Sequence, residues 1–217
     1  MSAAATGFRI AVLASGSGTN LQAILDRFAD DDAVEVVGVG SDNPAAMALE
    51  RARAAGSATE TFAAAAYPDR ERRDRAIADW LDGLEVELVV LAGYMQLLSG
   101  EFVRRYENRI VNVHPALLPS FPGLDAIGQA LEHGVRVTGI TVHFVDEGVD
   151  SGPIIAQRAV PIPPDRDRAA LEATIHATEH ALYPEVIAMI AAGRVRVDDA
   201  NPRQVRIDPA NGVRDPR

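Results

Sequence analysis

Ile110-Val111-Asn112-Val113-His114-Pro115-Ala116-Leu117-Leu118-Pro119 is the stretch from which the fold can be read. Ile110, Val111 and Val113 are β-branched, as a buried strand prefers. Pro115 has no N–H to give a sheet ladder, so the strand should end just after His114. Side chains alternate along a strand, so Asn112 and His114 share one side. An amide and an imidazole therefore stand together at the carboxyl end of a strand, where open α/β sheets bind ligands. A core strand with two satisfied polar residues is the plainer reading of the pair.

Outward from this strand, strands and helices alternate. Phe8 to Ala14 reads as a buried strand. It runs into Ser15-Gly16-Ser17-Gly18-Thr19-Asn20 and then a helical stretch, Leu21 to Phe28. A glycine-rich turn at a helix start presents free N–H groups to an anion. A dinucleotide fingerprint would need glycine where Leu21 stands, and a P-loop would need a lysine. The turn therefore suits a single phosphate, or no ligand if its glycines serve only the bend.

Further elements follow the same logic. Glu35 to Gly40 is a strand. Asn43-Pro44 should start a helix running to Ala55, closed by Gly56. A short strand is expected at Ala58 to Phe62. Pro68-Asp69 should open a helix to about Leu84, with Arg70, Arg72, Arg73 and Arg75 on a mostly solvated face. Leu88 to Ala92 is a fully apolar strand, followed by the loop Gly93-Tyr94-Met95-Gln96-Leu97-Leu98, whose apolar residues fill a core or wall a pocket. Ser99 can cap a short helix to Tyr106.

After the central strand, Pro115 to Gly123 should be stiff, with a helix over about Asp125 to His133. Gly139 to Val145 and Ile154 to Val160 can form a hairpin around the acidic loop Asp146-Glu147-Gly148-Val149-Asp150. A long helix spans about Asp167 to Ala192, with a small strand at Val195 to Val197. The polar tail from Asn201 is expected to be loose. The fold class predicted is α/β: a doubly wound, mostly parallel, Rossmann-like sheet, with antiparallel strands added in the C-terminal half.

Composition narrows the chemistry. The 217 residues contain no cysteine and no lysine, so thiol nucleophiles, disulfides and Schiff bases are excluded. The net charge of −10 disfavours nucleic acid as a partner. No apolar run reaches membrane-spanning length, and Met1 to Gly7 lacks a basic signal region, so a cytoplasmic location is expected. What remains is an anion turn, Asn112 with His114, and Asp150. An imidazole moves protons near neutral pH, and a nearby carboxylate favours its charged form. An amide N–H₂ can stabilise a developing oxyanion. These groups suit acyl transfer to an amine without a covalent enzyme intermediate, if the fold brings them together.

The chain resembles the phosphoribosylglycinamide formyltransferases, which use 10-formyltetrahydrofolate. Besides the anion turn and the central strand, the marks are Leu91-Ala92-Gly93-Tyr94-Met95, Phe121-Pro122-Gly123, Val142-His143-Phe144-Val145, Asp150-Ser151-Gly152-Pro153 and Glu179-His180. The resemblance implies a formyltransferase domain over residues 1–200, with 201–217 as a tail. It implies that Asn112, His114 and Asp150 are catalytic, and that Gly18, Thr19 and Asn20 contact the ribonucleotide phosphate. His176, Ala177, Thr178 and Glu179 would form a second contact with that substrate. Arg70, Met95, Gln96, Leu97, Leu98, Asn112 and the loop Asp146, Glu147, Gly148, Val149, Asp150 would hold the folate, as co-substrate and without a metal. Gln96 stands where some members carry arginine, and Asp125 and Ile127 where some carry histidines. The implied partners are small molecules, with neither nucleic acid nor membrane. The sequence does not reveal the oligomeric state, and a homodimer is one option.

Other readings compete. His176-Ala177-Thr178-Glu179-His180 has the H-x-x-E-H pattern of inverted zinc peptidases, with two histidines on one helical face but no evident third ligand. The same three catalytic residues would also serve a transferase acting on aminoacyl-tRNA or a nucleotide sugar, although the acidic charge argues against tRNA. A non-catalytic folate-binding module is the remaining alternative.

Overall fold

A computed structural model of the protein describes residues 7–209. Its main sheet has seven strands: β1 (Phe8–Leu13), β2 (Val34–Ser41), β3 (Ala58–Thr61), β4 (Leu88–Leu91), β5 (Ile110–His114), β6 (Val137–Phe144) and β7 (Ile154–Pro161). They lie in the order β3-β2-β1-β4-β5-β6-β7. The first five are mutually parallel, and β6 and β7 are antiparallel to their neighbours. This is the doubly wound arrangement expected from the alternation of strands and helices, with the hairpin added at one side.

The sheet separates two apolar layers because its inner strands are apolar on both faces. Ile10 and Val12 of β1 face one core with Val90 and Val111, covered by α1 (Thr19–Phe28) and α6 (Arg168–Ala191). Ala11 and Leu13 face the other with Val89 and Ile110, covered by α3 (Arg70–Gly83) and α4 (Gly100–Arg105). The remaining α-helices among the described residues are α2 (Met47–Ala54) and α5 (Ala126–Glu132). Strand order reverses between β1 and β4, so the loops leaving their carboxyl ends diverge and open a crevice between them.

Three expectations are corrected. The second helix begins at Met47 rather than at Pro44. Asn43 Oδ1 accepts from Ala45 N (3.0 Å), and Asn43 O from Ala46 N (3.0 Å), so the asparagine makes a turn that displaces the helix start. Arg73 does not belong to a solvated face: it is 3% exposed and paired with buried Asp74.

The stretch from Asn201 is not loose in its first part. β9 (Asn201–Ile207) pairs antiparallel with β8 (Val195–Asp198). Ala200 N donates to Asp198 Oδ1 (2.8 Å) in the connecting turn, and Val195, Val197 and Val205 pack against the main core. The repeated alternation in Val195-Arg196-Val197 and Val205-Arg206-Ile207 was the sequence signal for this hairpin. Residues 210–217 of the expected tail lie outside the described residues.

Candidate active site

The crevice receives three segments, each set by its own local chemistry. The first is the turn after β1. Gly18 adopts φ +70°, and a Cβ there would lie 2.8 Å from Ala48 Cα, so the turn sits directly on α2. Arg51 of α2 donates from Nε to Ser17 O (2.9 Å) and from Nη1 to Gln22 Oε1 (2.8 Å). The helix α1 begins at Thr19 with no side-chain cap, so its first N–H groups remain available to an anion.

The second segment is the loop after β4. Ser15 joins it to the anion turn: Ser15 N donates to Gly93 O (3.1 Å), and Met95 N donates to Ser15 Oγ (2.8 Å). The third is β5 itself. Tyr183 of α6 reaches under it, with its hydroxyl 2.9 Å from both Leu91 O and Val111 O. One helical turn earlier, Glu179 accepts from Asn20 Nδ2 (2.9 Å), which ties α6 to the anion turn. Burial pushes the Glu179 carboxyl above its usual 4.5, against the Asn20 hydrogen bond and the nearby charge of His176 and His114.

Antiparallel pairing of β5 with β6 places His143 opposite Asn112 and Thr141 opposite His114. Asn112 Nδ2 donates to His143 Nε2 (3.3 Å), and His143 Nδ1–H donates to Phe144 O (2.7 Å). These bonds require a neutral ring, and burial indeed lowers the pKa of His143 from 6.5. The Thr141 hydroxyl donates to Ala116 O (2.7 Å) and accepts from Leu118 N (3.0 Å), which shapes the loop after β5.

His114 Nε2–H donates to Phe121 O (2.8 Å), so Nδ1 faces Asp150, with Oδ2 3.3 Å away. The same Oδ2 accepts from Gly123 N (2.7 Å), and Oδ1 lies 3.7 Å from His143 Nε2. The carboxylate thus joins the acidic loop, the loop after β5 and both histidines. Phe121, Asp125 and Asp150 all have positive φ, near 50–55°, a conformation that costs a non-glycine residue free energy and gathers here around the site.

Two cavities meet at these residues. One, about 190 Å³, is lined by Arg70, Tyr94, Gln96, Leu97, Leu98, Asn112, His143 and the stretch from Val145 to Asp150. The other, about 620 Å³, is lined by Met95, His114, Gly123 and Ile127 among others. Asn112, Asp150, Tyr94, Gln96, Leu97 and Val149 line both. A molecule in each cavity would therefore meet beside Asn112 and Asp150. Among the described residues, the buried Tyr94 hydroxyl has no hydrogen-bond partner.

The residues singled out from sequence fall into two groups. Arg70, Met95 to Leu98, Asn112, His114 and Asp146 to Asp150 gather around the paired cavities. Gly18, Thr19, Asn20 and Glu179 lie together at the α1–α6 contact and line neither cavity. His176 and Ala177 are exposed on α6, and Thr178 bonds its own helix through Thr174 O (2.7 Å). Two positions that depart from the family pattern are engaged within the fold. Gln96 bonds Arg73 and Asp42, and Asp125 caps α5 and pairs with Arg168 (2.8 Å). Ile127 is buried in the core.

The zinc pattern lacks support from geometry. His176 and His180 stack with ring centroids 6.5 Å apart, and Glu179 turns to Asn20. Among the described residues, no group of three or more His, Cys, Asp or Glu is arranged to hold a metal ion. His143 is the residue that sequence reasoning passed over. The alternation of Gly139 to Val145 put it on one strand face, but only the β5–β6 register puts that face beside Asn112.

The chain belongs to the formyl transferase family, which it matches over residues 8–187. Within that family it is similar to phosphoribosylglycinamide formyltransferases. It is 45% identical over 181 residues to that enzyme from Bacillus subtilis, covering 82% of this chain and 92% of the relative. The crystal structure of glycinamide ribonucleotide transformylase 1 from Symbiobacterium toebii superposes with a TM-score of 0.90 at 49% identity, over 95% of this chain and 96% of that one. The chain is also 45% identical, over 188 residues, to the trifunctional purine biosynthetic protein adenosine-3 of Drosophila melanogaster, but spans 14% of that protein's length.

Proposed function

We propose that this protein transfers the formyl group of 10-formyltetrahydrofolate to the amine of glycinamide ribonucleotide, a step of purine biosynthesis. The observation that carries the reading is the placement of Asn112, His114 and Asp150 where two cavities meet. The folate occupies the cavity behind Leu97, Leu98 and Val149, with Arg70 at its rim. The ribonucleotide phosphate docks on the N–H groups of Gly18, Thr19 and Asn20, and Glu179 faces the ribonucleotide from α6.

In the reaction the substrate amine attacks the formyl carbon at the seam. The Asn112 amide and the His114 imidazolium stabilise the oxyanion of the tetrahedral intermediate. Asp150 holds the imidazole and balances its charge, while the amine's proton passes to N10 of the departing tetrahydrofolate through His114 or a water molecule. The bond from carbon to N10 breaks as the carbonyl reforms, so neither a metal nor a redox step is needed. Among the described residues no helix is long and apolar enough to cross a membrane.

The test is formyl transfer from 10-formyltetrahydrofolate to glycinamide ribonucleotide, run beside an aminoacyl-tRNA, a nucleotide sugar and water as acceptors. Turnover dependent on the ribonucleotide is expected. Faster transfer to any of the other three overturns this assignment.

A further inference from the structure

The loop Gly93–Leu98 walls both cavities, yet it has little burial of its own to order it. Met95 is 65% exposed and Leu97 62%, because their side chains face the crevice. Ser15 fixes the first half of the loop through Gly93 and Met95. The second half is held by a buried ion pair on α3. Arg73 Nη1 donates to Gln96 Oε1 (3.0 Å), and Nη2 donates to Leu97 O (2.9 Å). Its neighbour Asp74, 1% exposed, accepts from Ser99 N at 2.5 Å. The two side chains are joined by bonds from Arg73 Nε (2.9 Å) and Nη2 (2.7 Å) to Asp74 Oδ1. Gln96 passes the connection on, donating from Nε2 to Asp42 Oδ2 (2.9 Å) beyond β2.

We infer that Arg73 is a positioning residue for the formyl donor: with Asp74 and Gln96 it holds the Gln96–Ser99 segment in the shape that walls the folate cavity. A buried ion pair is costly to desolvate, and it is sustained only where further hydrogen bonds satisfy its remaining atoms. Here those bonds go to two consecutive loop positions, Gln96 and Leu97, and to Ser99, the residue that caps α4. None of the pair's hydrogen bonds goes to Asn112, His114 or the anion turn. A cavity wall ordered before the ligand arrives leaves less conformational entropy to lose on binding. Its effect should therefore fall on donor binding and not on the chemical step. This inference rests on the reading of the smaller cavity as the folate site.

The experiment measures kcat and both KM values for the parent, Arg73→Met and Arg73→Lys, together with the melting temperature of each. Arg73→Met is expected to raise KM for 10-formyltetrahydrofolate about tenfold, as loss of a charged hydrogen bond implies, with KM for the ribonucleotide and kcat nearly unchanged. Arg73→Lys keeps the charge without the forked geometry and should fall between the two. An unchanged donor KM in folded Arg73→Met, or an equal rise in both KM values, overturns the inference. If Arg73→Met does not fold, Arg73→Lys decides, because it keeps the positive charge beside Asp74 but not the fork that holds Gln96 and Leu97. A donor KM raised about threefold or more supports the clamp, on the scale of a neutral hydrogen bond, and an unchanged one overturns it. A parent that neither turns over nor binds 10-formyltetrahydrofolate overturns the functional reading itself, and the inference with it.

Discussion

Nδ2 of Asn112 donates to Nε2 of His143 across the β5–β6 ladder, at 3.3 Å. Because His143 spends its Nδ1–H on Phe144 O, its Nε2 is an acceptor, and the Asn112 amide is fixed with its N–H₂ towards the histidine. His143→Phe removes the acceptor while keeping a flat ring. It should lower kcat by about 10–100-fold, somewhat less than removal of an oxyanion donor outright, and change both KM values little. A kcat within twofold of the parent would show that Asn112 does not depend on this partner.

The neutral state of His143 also has a consequence for stability. Burial, the largest influence, holds its pKa below 6.5, so the unfolded chain takes up a proton that the folded ring resists. The stability contributed by the neutral ring is complete above 6.5 and is lost as pH falls below it. The melting temperature of the parent should therefore drop more between pH 7 and pH 5 than that of His143→Phe. Parallel curves would count against a buried neutral imidazole.

Glu179 gives the opposite sign. Its carboxyl is raised above 4.5, chiefly by burial, so the folded state prefers the proton. Stability associated with this group is greatest below 4.5 and declines as pH rises through the folded value. Glu179→Gln can keep the hydrogen bond from Asn20 and does not titrate. The difference in melting temperature, variant minus parent, should become more positive from pH 4 to pH 7. The same variant should raise KM for the ribonucleotide. A temperature difference that is flat or falls with pH would mean that the carboxylate ionises in the fold without penalty.

His114 and Asp150 act as a unit in the proposed mechanism. Asp150→Asn keeps the shape but removes the charge 3.3 Å from Nδ1, and should lower kcat on the order of 10²–10⁴-fold. His114→Ala should remove the same contribution, and the double variant should be little worse than the worse single one. Losses that multiply in full would separate the two residues.

At Gly18, Gly18→Ala would force a Cβ to 2.8 Å from Ala48 Cα in a left-handed conformation. The backbone cost alone is roughly 1–2 kcal/mol. KM for the ribonucleotide should rise while KM for the folate stays near the parent value. Isothermal titration with each substrate checks this, and an unchanged ribonucleotide affinity places the phosphate elsewhere.

The sequence by itself determined the alternation of elements, and with it the doubly wound sheet. Apolar runs such as Leu88 to Leu91, the proline after His114 and the caps at Asp69 and Ser99 are local signals, each legible within a few residues. It also placed Asn112 and His114 on one side of one strand, because alternation is a property of the strand alone. Only the tertiary structure decided what faces them. The register of β6 against β5 brings His143 to Asn112, and Asp150 meets His114 because a left-handed turn at Asp150 folds the acidic loop back. Neither follows from spacing, since register and loop closure depend on contacts between residues distant in sequence. The same holds for Arg73. Its arginine-rich surroundings read as a solvated face, but Arg73 turns inward with the buried side of α3, and there Asp74 and the loop after β4 supply the partners that a buried guanidinium requires.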